Sequence, residues 1–180
     1  SLEMAFRLID EAKKSGADAV KFQLRHMDSV YRESESAEDI GAEYVDALLR
    51  DVNFSKDKIE KCINYARKQE LIVGCTPFDH ESLMFLKTLE VDFIKIASAD
   101  LTNIPLIKAA TLIYIPLIVS TGMSDQNDID SAAEVLEASA CPFILLHCNS
   151  TYPTPYKDIN LRFMQELAAY STAGLYGYSG

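Results

Sequence analysis

The sequence predicts an α/β fold built on parallel strands, and a (β/α)8 barrel is the better of the two architectures that fit. Short apolar runs alternate with segments of helical period, about 20 to 30 residues apart except for a first gap of roughly 50. The runs are apolar on both faces, as parallel strands covered by helices are. No G-x-G-x-x-G or P-loop follows any of them, which removes the strongest support for a doubly wound open sheet.

The elements follow in order. Leu2, Ala5, Leu8, Ile9 and Ala12 mark one helix face, and Gly16 offers a left-handed end to that helix. "AVKFQL" is the first strand. The acidic stretch from His26 to Ser55 is long for a β-to-α connection and reads either as a solvated excursion, with a short helix around Glu43 to Arg50, or as an element over the rim. Ile59 to Gln69 is helical, and "LIVGCTPF" is the second strand. Asp79 suits an N-cap for "HESLMFLKTLEV", which hands over to the strand "DFIKIAS". Pro105 fits the first turn of the next helix, ahead of the strand "IPLIVSTGM". Ser124 is placed to cap "DQNDIDSAAEVLEAS", and "FILLHCNS" is the fifth strand. "INLRFMQELAAY" and "GLYGYSG" give a last helix and the beginning of a sixth strand. A closed barrel has eight, so about six of eight strands are represented, and the chain is expected to be a partial barrel domain over 1–180 that lacks the first and last strands.

Composition narrows the function. The 180 residues are 48% hydrophobic and 24% charged, the balance of one globular domain with a sizeable core. The formal net charge of −10 argues against nucleic acid or an anionic membrane as partner. No run reaches the roughly 20 apolar residues of a membrane span, and the N-terminus has no signal-peptide pattern, so a cytoplasmic setting is expected. Cys62, Cys75, Cys141 and Cys148 show no paired spacing and read as small buried residues.

Two lysines interrupt the apolar strands. Lys21 and Lys95 both sit where burial is expected, and an ammonium there needs an anion or a carboxylate nearby. Gln23, Thr76, Ser98, Ser120, Thr121, His147, Asn149, Ser150 and Ser179 also lie in strands or just after them. In a barrel such positions converge on the C-terminal rim, where active sites of this fold lie. Against that, serine and threonine also serve turns, and His147 is better read as a hydrogen-bonded structural residue than as a metal ligand.

The segments "GADAVKFQ", "TPFD", "KIASADLTNIPLI", "STGM", "HCNSTYPTP" and "GYSG" stand in the order and at the separations found in the sialic acid synthase family, whose members make N-acetylneuraminate, legionaminate and pseudaminate. The chain resembles that family over nearly its whole length. The resemblance implies a TIM-barrel enzyme that condenses phosphoenolpyruvate with an N-acetylated aldose, such as N-acetylmannosamine, giving a nonulosonic acid and phosphate. It implies that Lys21, Thr76, Lys95, Ser98, Ser120, Ser150 and Ser179 bind phosphoenolpyruvate, with Lys21 and Lys95 as electrostatic clamps, and that Gln23 and Tyr152 line the sugar side. Ser150 stands where some relatives carry asparagine, a change that keeps a hydrogen bond and shortens its reach.

The resemblance further implies a divalent metal, Mn2+ or Mg2+, with ligands outside the chain: the first is the histidine after the "YSG" motif, and His26, His80 and His147 do not match. It implies a catalytic glutamate before Ser1, a C-terminal antifreeze-like domain absent from these residues, and a homodimeric parent. Two alternatives stay open: a Schiff-base aldolase with Lys95 as nucleophile, and a catalytically inactive barrel fragment.

Overall fold

The computed structural model describes residues 1–30, 48–151 and 153–179. They form two compact units, Ser1–Glu90 and Val91–Gly180.

In the first unit the order is α1 (Leu2–Lys14), β1 (Ala19–Leu24), α2 (Met27–Val30), a helical stretch over 48–52, α3 (Lys56–Lys68), β2 (Ile72–Pro77) and α4 (His80–Thr88). Strands β1 and β2 pair in parallel, with Lys21 opposite Gly74 and Gln23 opposite Thr76. The second unit holds β3 (Phe93–Ile96), α5 (Ile104–Thr111), β4 (Leu117–Ser120), α6 (Gln126–Glu137), β5 (Phe143–Cys148), α7 (Phe163–Leu167) and β6 (Tyr176–Ser179). Its strands pair in chain order, β3 to β4 to β5 to β6, all parallel.

Local chemistry accounts for most boundaries. Gly16 takes the left-handed conformation at φ 83°, just past the end of α1. Ser55 starts α3 three residues ahead of the expected Ile59, its hydroxyl accepting the Lys58 N–H. Asp79 caps α4 as expected, and its second carboxylate oxygen also takes the backbone N–H of His26 at 2.8 Å. The cap of α6 is a correction: it is Asp125, one residue past Ser124, in a reciprocal capping box with Asp128. The carboxylate takes two N–H groups, at 2.8 and 3.1 Å, which a serine hydroxyl does less well. The last helix is also shorter than expected, only five residues, because i→i+3 turns flank it from Asn160 through Tyr170 and no side chain caps its start.

Burial follows the two-residue period of a strand. In the second unit Ile94, Ile96, Leu117, Val119, Phe143 and Leu145 share one face, each no more than 5% exposed, and with the apolar stripes of α5 and α6 they form its core. The opposite face carries Lys95, Ile118, Ser120, Ile144, Leu146 and Cys148. In the first unit Val73 and Cys75 are fully buried alongside Ile63 and Ala66 of α3. Lys21, Gln23, Gly74 and Thr76 occupy the other face. The strand period therefore puts packing on one side and polar groups on the other.

Candidate functional site

The first unit brings together Lys21, Gln23 and Thr76. Lys21 Nζ lies 3.5 Å from Thr76 Oγ1, a long contact that leaves the ammonium most of its donor capacity. The expectation that Lys21 is buried is corrected: Ala19, Lys21 and Gln23 are all exposed, because β1 turns this face away from α1 and α3. The ammonium end is still partly desolvated, and this lowers the Lys21 pKa below 10.5; the charge of Arg25 pushes it the same way, and Cys75 opposes both. Burial raises the neighbouring Cys75 thiol to about 12, so it is neutral. Arg25, which the sequence did not single out, donates to Gln23 Oε1 at 3.0 Å and stacks 3.8 Å over the Phe78 ring. It adds a second positive charge beside Lys21, and an arginine one turn of pleat beyond Gln23 was the signal for it.

The second unit brings together more of the predicted residues. Lys95 is 9% exposed, and its ammonium donates to the Ile96 carbonyl at 3.1 Å and to the Ser120 hydroxyl. Ser120 is itself 2% exposed. Ser98, at the start of the 3-10 turn Ser98–Asp100, points its hydroxyl at Cys148 Sγ, 3.1 Å away. Gly122, two residues past Ser120, gives its N–H to the same sulfur at 3.2 Å. A Cβ on Gly122 would lie 2.9 Å from Ser98 Oγ, 3.0 Å from Ser150 Oγ and 3.1 Å from Cys148 Sγ, so these three polar atoms converge on the space its missing side chain leaves. Ser179 is the register partner of Cys148 on β6.

Lys95, Ser98, Ser120, Ser150 and Ser179 are thus carried by strand ends of one unit. Cys148 and Gly122 belong with them, and the sequence missed both. Cys148 looked like filler, and the clue was its parity with Ser120 and Ser179 across the paired strands.

Three other polar residues turn away from this cluster. Thr121 gives its hydroxyl to the Leu146 carbonyl, and Asn149 binds the Asp158 carbonyl and the Thr151 N–H. His147 has the opposite parity to Cys148, meets the Ile159 carbonyl at 2.7 Å through Nε2, and packs against Phe163 and Tyr178. It is a structural histidine. Tyr152 and residues 31–47 of the acidic stretch lie outside the described residues.

Among the described residues no group of three or more histidine, cysteine or acidic side chains could hold a metal ion. No described helix is long and apolar enough to cross a membrane. A cleft of about 700 Å3 lined by Lys108, Tyr114 and Glu134 between α5 and α6 contains none of the residues above. Chemically, each polar cluster is a cation beside hydroxyl or amide donors, the donor set that holds an anion.

Known proteins resemble the chain over nearly its whole length. The profile described as the NeuB family matches residues 8–180. An uncharacterized protein of Methanocaldococcus jannaschii is 39% identical over 168 residues, covering 92% of this chain and 47% of its own length. The N,N'-diacetyllegionaminic acid synthase of Legionella pneumophila is 32% identical over 180 residues, 93% of this chain and 50% of its own. Among solved structures, the N-acetylneuraminic acid (sialic acid) synthetase of Leptospira borgpetersenii in complex with citrate superposes with a TM-score of 0.87 at 33% identity, covering 98% of this chain and 59% of its own. The chain spans about half the length of the curated relatives it matches.

Proposed function

From the premise that the chain belongs to the NeuB family, the sialic acid synthase family, we propose that it supplies the phosphoenolpyruvate-binding part of a nonulosonic acid synthase. The substrates are phosphoenolpyruvate and an N-acetylated amino sugar in its open-chain form, and the products are a 2-keto sugar acid and phosphate. The observation that carries this is Lys95: an ammonium 9% exposed, hydrogen-bonded to Ser120 at a strand end, one turn from Ser98.

Phosphoenolpyruvate carries a phosphate and a carboxylate, and either is the kind of group such a cluster takes. Lys95 and the hydroxyls of Ser98, Ser120, Ser150 and Ser179 are the donors in one unit; Lys21 and Thr76 are the donors in the other. In the reaction C3 of phosphoenolpyruvate bonds to the aldehyde carbon, whose oxygen takes a proton. Water adds at the resulting cationic C2 and loses a proton, and the tetrahedral intermediate then expels phosphate with cleavage of its C–O bond, the C2 hydroxyl proton leaving with the phosphate as the keto group forms. Lys95 holds negative charge on the donor throughout and need not reorganise as the bonds change. Gln23 and Tyr152 serve the sugar end. A divalent ion, Mn2+ or Mg2+, is part of this proposal as a cofactor that would polarise the aldehyde. The described residues do not offer a site that fits it.

Phosphate release by the intact protein, with phosphoenolpyruvate, Mn2+ and N-acetylmannosamine or a diacetylated amino sugar, tests the proposal. Lys95→Ala should weaken phosphoenolpyruvate binding by ~2–5 kcal/mol, roughly 30-fold or more, while the sugar KM changes little. Normal affinity for phosphoenolpyruvate with a raised sugar KM would reverse the assignment. A borohydride-trapped adduct between Lys95 and pyruvate would replace it with Schiff-base chemistry.

A further inference from the structure

We infer that Cys148 is a positioning residue whose thiol sets the polarity of the Ser98 hydroxyl, making Ser98 a hydrogen-bond donor to the bound anion. The inference rests on the proposal that the Lys95 cluster holds an anion.

Proton accounting around the sulfur leads to it. Cys148 ends β5 and is 9% exposed, and among the described residues its Sγ has three polar neighbours: the Gly122 N–H at 3.2 Å, Ser98 Oγ at 3.1 Å and the Leu146 carbonyl at 3.9 Å. A backbone N–H can only donate, so toward Gly122 the sulfur is an acceptor. The thiol proton then has two destinations. The Leu146 carbonyl is the poorer one, at the outer limit for sulfur, and it already accepts the Thr121 N–H at 3.0 Å and the Thr121 hydroxyl at 3.1 Å, which fills both lone pairs. The proton therefore goes to Ser98 Oγ.

A serine hydroxyl that accepts in this way keeps its own O–H for another partner. A hydroxyl beside an indifferent neighbour can present a lone pair or a proton; this one is biased to present the proton, which an anion requires. The sulfur acts through Ser98 and needs no contact with the ligand. The bare Cα of Gly122 allows this: any Cβ there would fall within 3.1 Å of both Ser98 Oγ and Cys148 Sγ.

Two measurements test this. The first is the Raman S–H stretching band of Cys148, isolated as the difference between the unsubstituted protein and Cys148→Ser. Ser98→Ala should shift that band upward as the thiol loses its acceptor; a band that does not move overturns the inference. The second is a double-substitution cycle on anion binding with Ser98→Ala, Cys148→Ala and the pair, using both phosphoenolpyruvate and inorganic phosphate as ligands. Cys148→Ala should weaken both anions about tenfold, the loss of one oriented donor. The pair should be no worse than Ser98→Ala alone, since the thiol works through that hydroxyl, and Cys148→Ser should recover part of the affinity.

Additive losses would show that the cysteine only packs, and would overturn the inference. If Cys148→Ala does not fold, the Raman shift and the affinity of Cys148→Ser decide it, with an affinity no better than that of Ser98→Ala counting against it. Binding of inorganic phosphate with the expected cycle, but no turnover of phosphoenolpyruvate, would refute the synthase proposal and leave the role of Cys148 standing. An unsubstituted protein that binds neither anion would overturn both.

Discussion

Replacing Gly122 with alanine would place a methyl group 2.9 Å from Ser98 Oγ, 3.0 Å from Ser150 Oγ and 3.1 Å from Cys148 Sγ. The backbone of Gly122 is not in the left-handed region, so the cost is steric rather than conformational. Ser98 and Ser150 can rotate about χ1, but Cys148 is buried at the end of β5 and cannot withdraw without breaking its contact with the Gly122 N–H. Overpacking of this kind costs ~1–3 kcal/mol. In a chain of this size each kcal/mol moves Tm by roughly 2–4 °C, so a fall of about 2–12 °C is expected in a thermal melt. If Ser98 donates to the bound anion as proposed, the rotated hydroxyl loses that contact, and phosphoenolpyruvate affinity should drop about tenfold in calorimetry. Gly177→Ala is the control. Its Cβ would meet Leu146 Cδ2 at 2.8 Å, closer than any contact at Gly122. That atom is the far end of a flexible, half-buried side chain, however, so the cost should stay below ~1 kcal/mol. The reasoning is refuted if Gly177→Ala is the more damaging of the two, or if Gly122→Ala keeps both its melting point and its affinity.

Other outcomes follow from the same geometry. The Lys21 pKa is lowered, chiefly by desolvation, so anion affinity should begin to fall at a pH below 10.5 as that ammonium deprotonates; Lys21→Arg, which stays charged, should remove this alkaline limb from a binding-versus-pH profile. The sign for stability is opposite: the unfolded chain binds more protons between the lowered pKa and 10.5, so unfolding free energy should rise with pH across that window, and Lys21→Met should flatten the rise in denaturant titrations. Asp125→Ala should cost ~1 kcal/mol by the same measurement, whereas Ser124→Ala should cost much less, because Asp125 caps α6. Ile96→Ala, at a fully buried position, should cost ~2–5 kcal/mol of stability, while Ser120→Ala should act mainly on phosphoenolpyruvate affinity.

The parts of the fold that were legible in the sequence were those set by local period and capping. Strands β1 to β6 fall within the six apolar runs, and Asp79 and Gly16 do what their residue types suggest. The failures have physical causes. Ser124 and Asp125 are both good caps, and the choice fell to the carboxylate that could take two N–H groups and be answered by Asp128. Lys21 was expected to be buried because its neighbours Val20 and Phe22 are apolar, yet parity places it on the open face with Gln23. Of the candidate site, the lysines and serines could be named from their positions at strand ends. Cys148 and Gly122 could not, because their contribution is a contact between segments 26 residues apart, a sulfur accepting one particular N–H.

Parity also explains why a polar cluster can sit so close to the core without weakening it. Lys95 and Ile96 are adjacent in sequence, and the first donates to Ser120 while the second is fully buried on the other face. Val119 and Ser120 divide in the same way, as do His147 and Cys148, with His147 fastened to the Ile159 carbonyl on the packing side. The apolar face supplies the stabilisation, and the polar face holds a largely buried ammonium whose partners include the Ser120 hydroxyl and the Ile96 carbonyl. A bound anion would reward that face in proportion to the desolvation already imposed on Lys95 when the chain folds. Ligand should therefore raise the melting temperature of the unsubstituted protein far more than that of Lys95→Ala, even where the two melt alike without it.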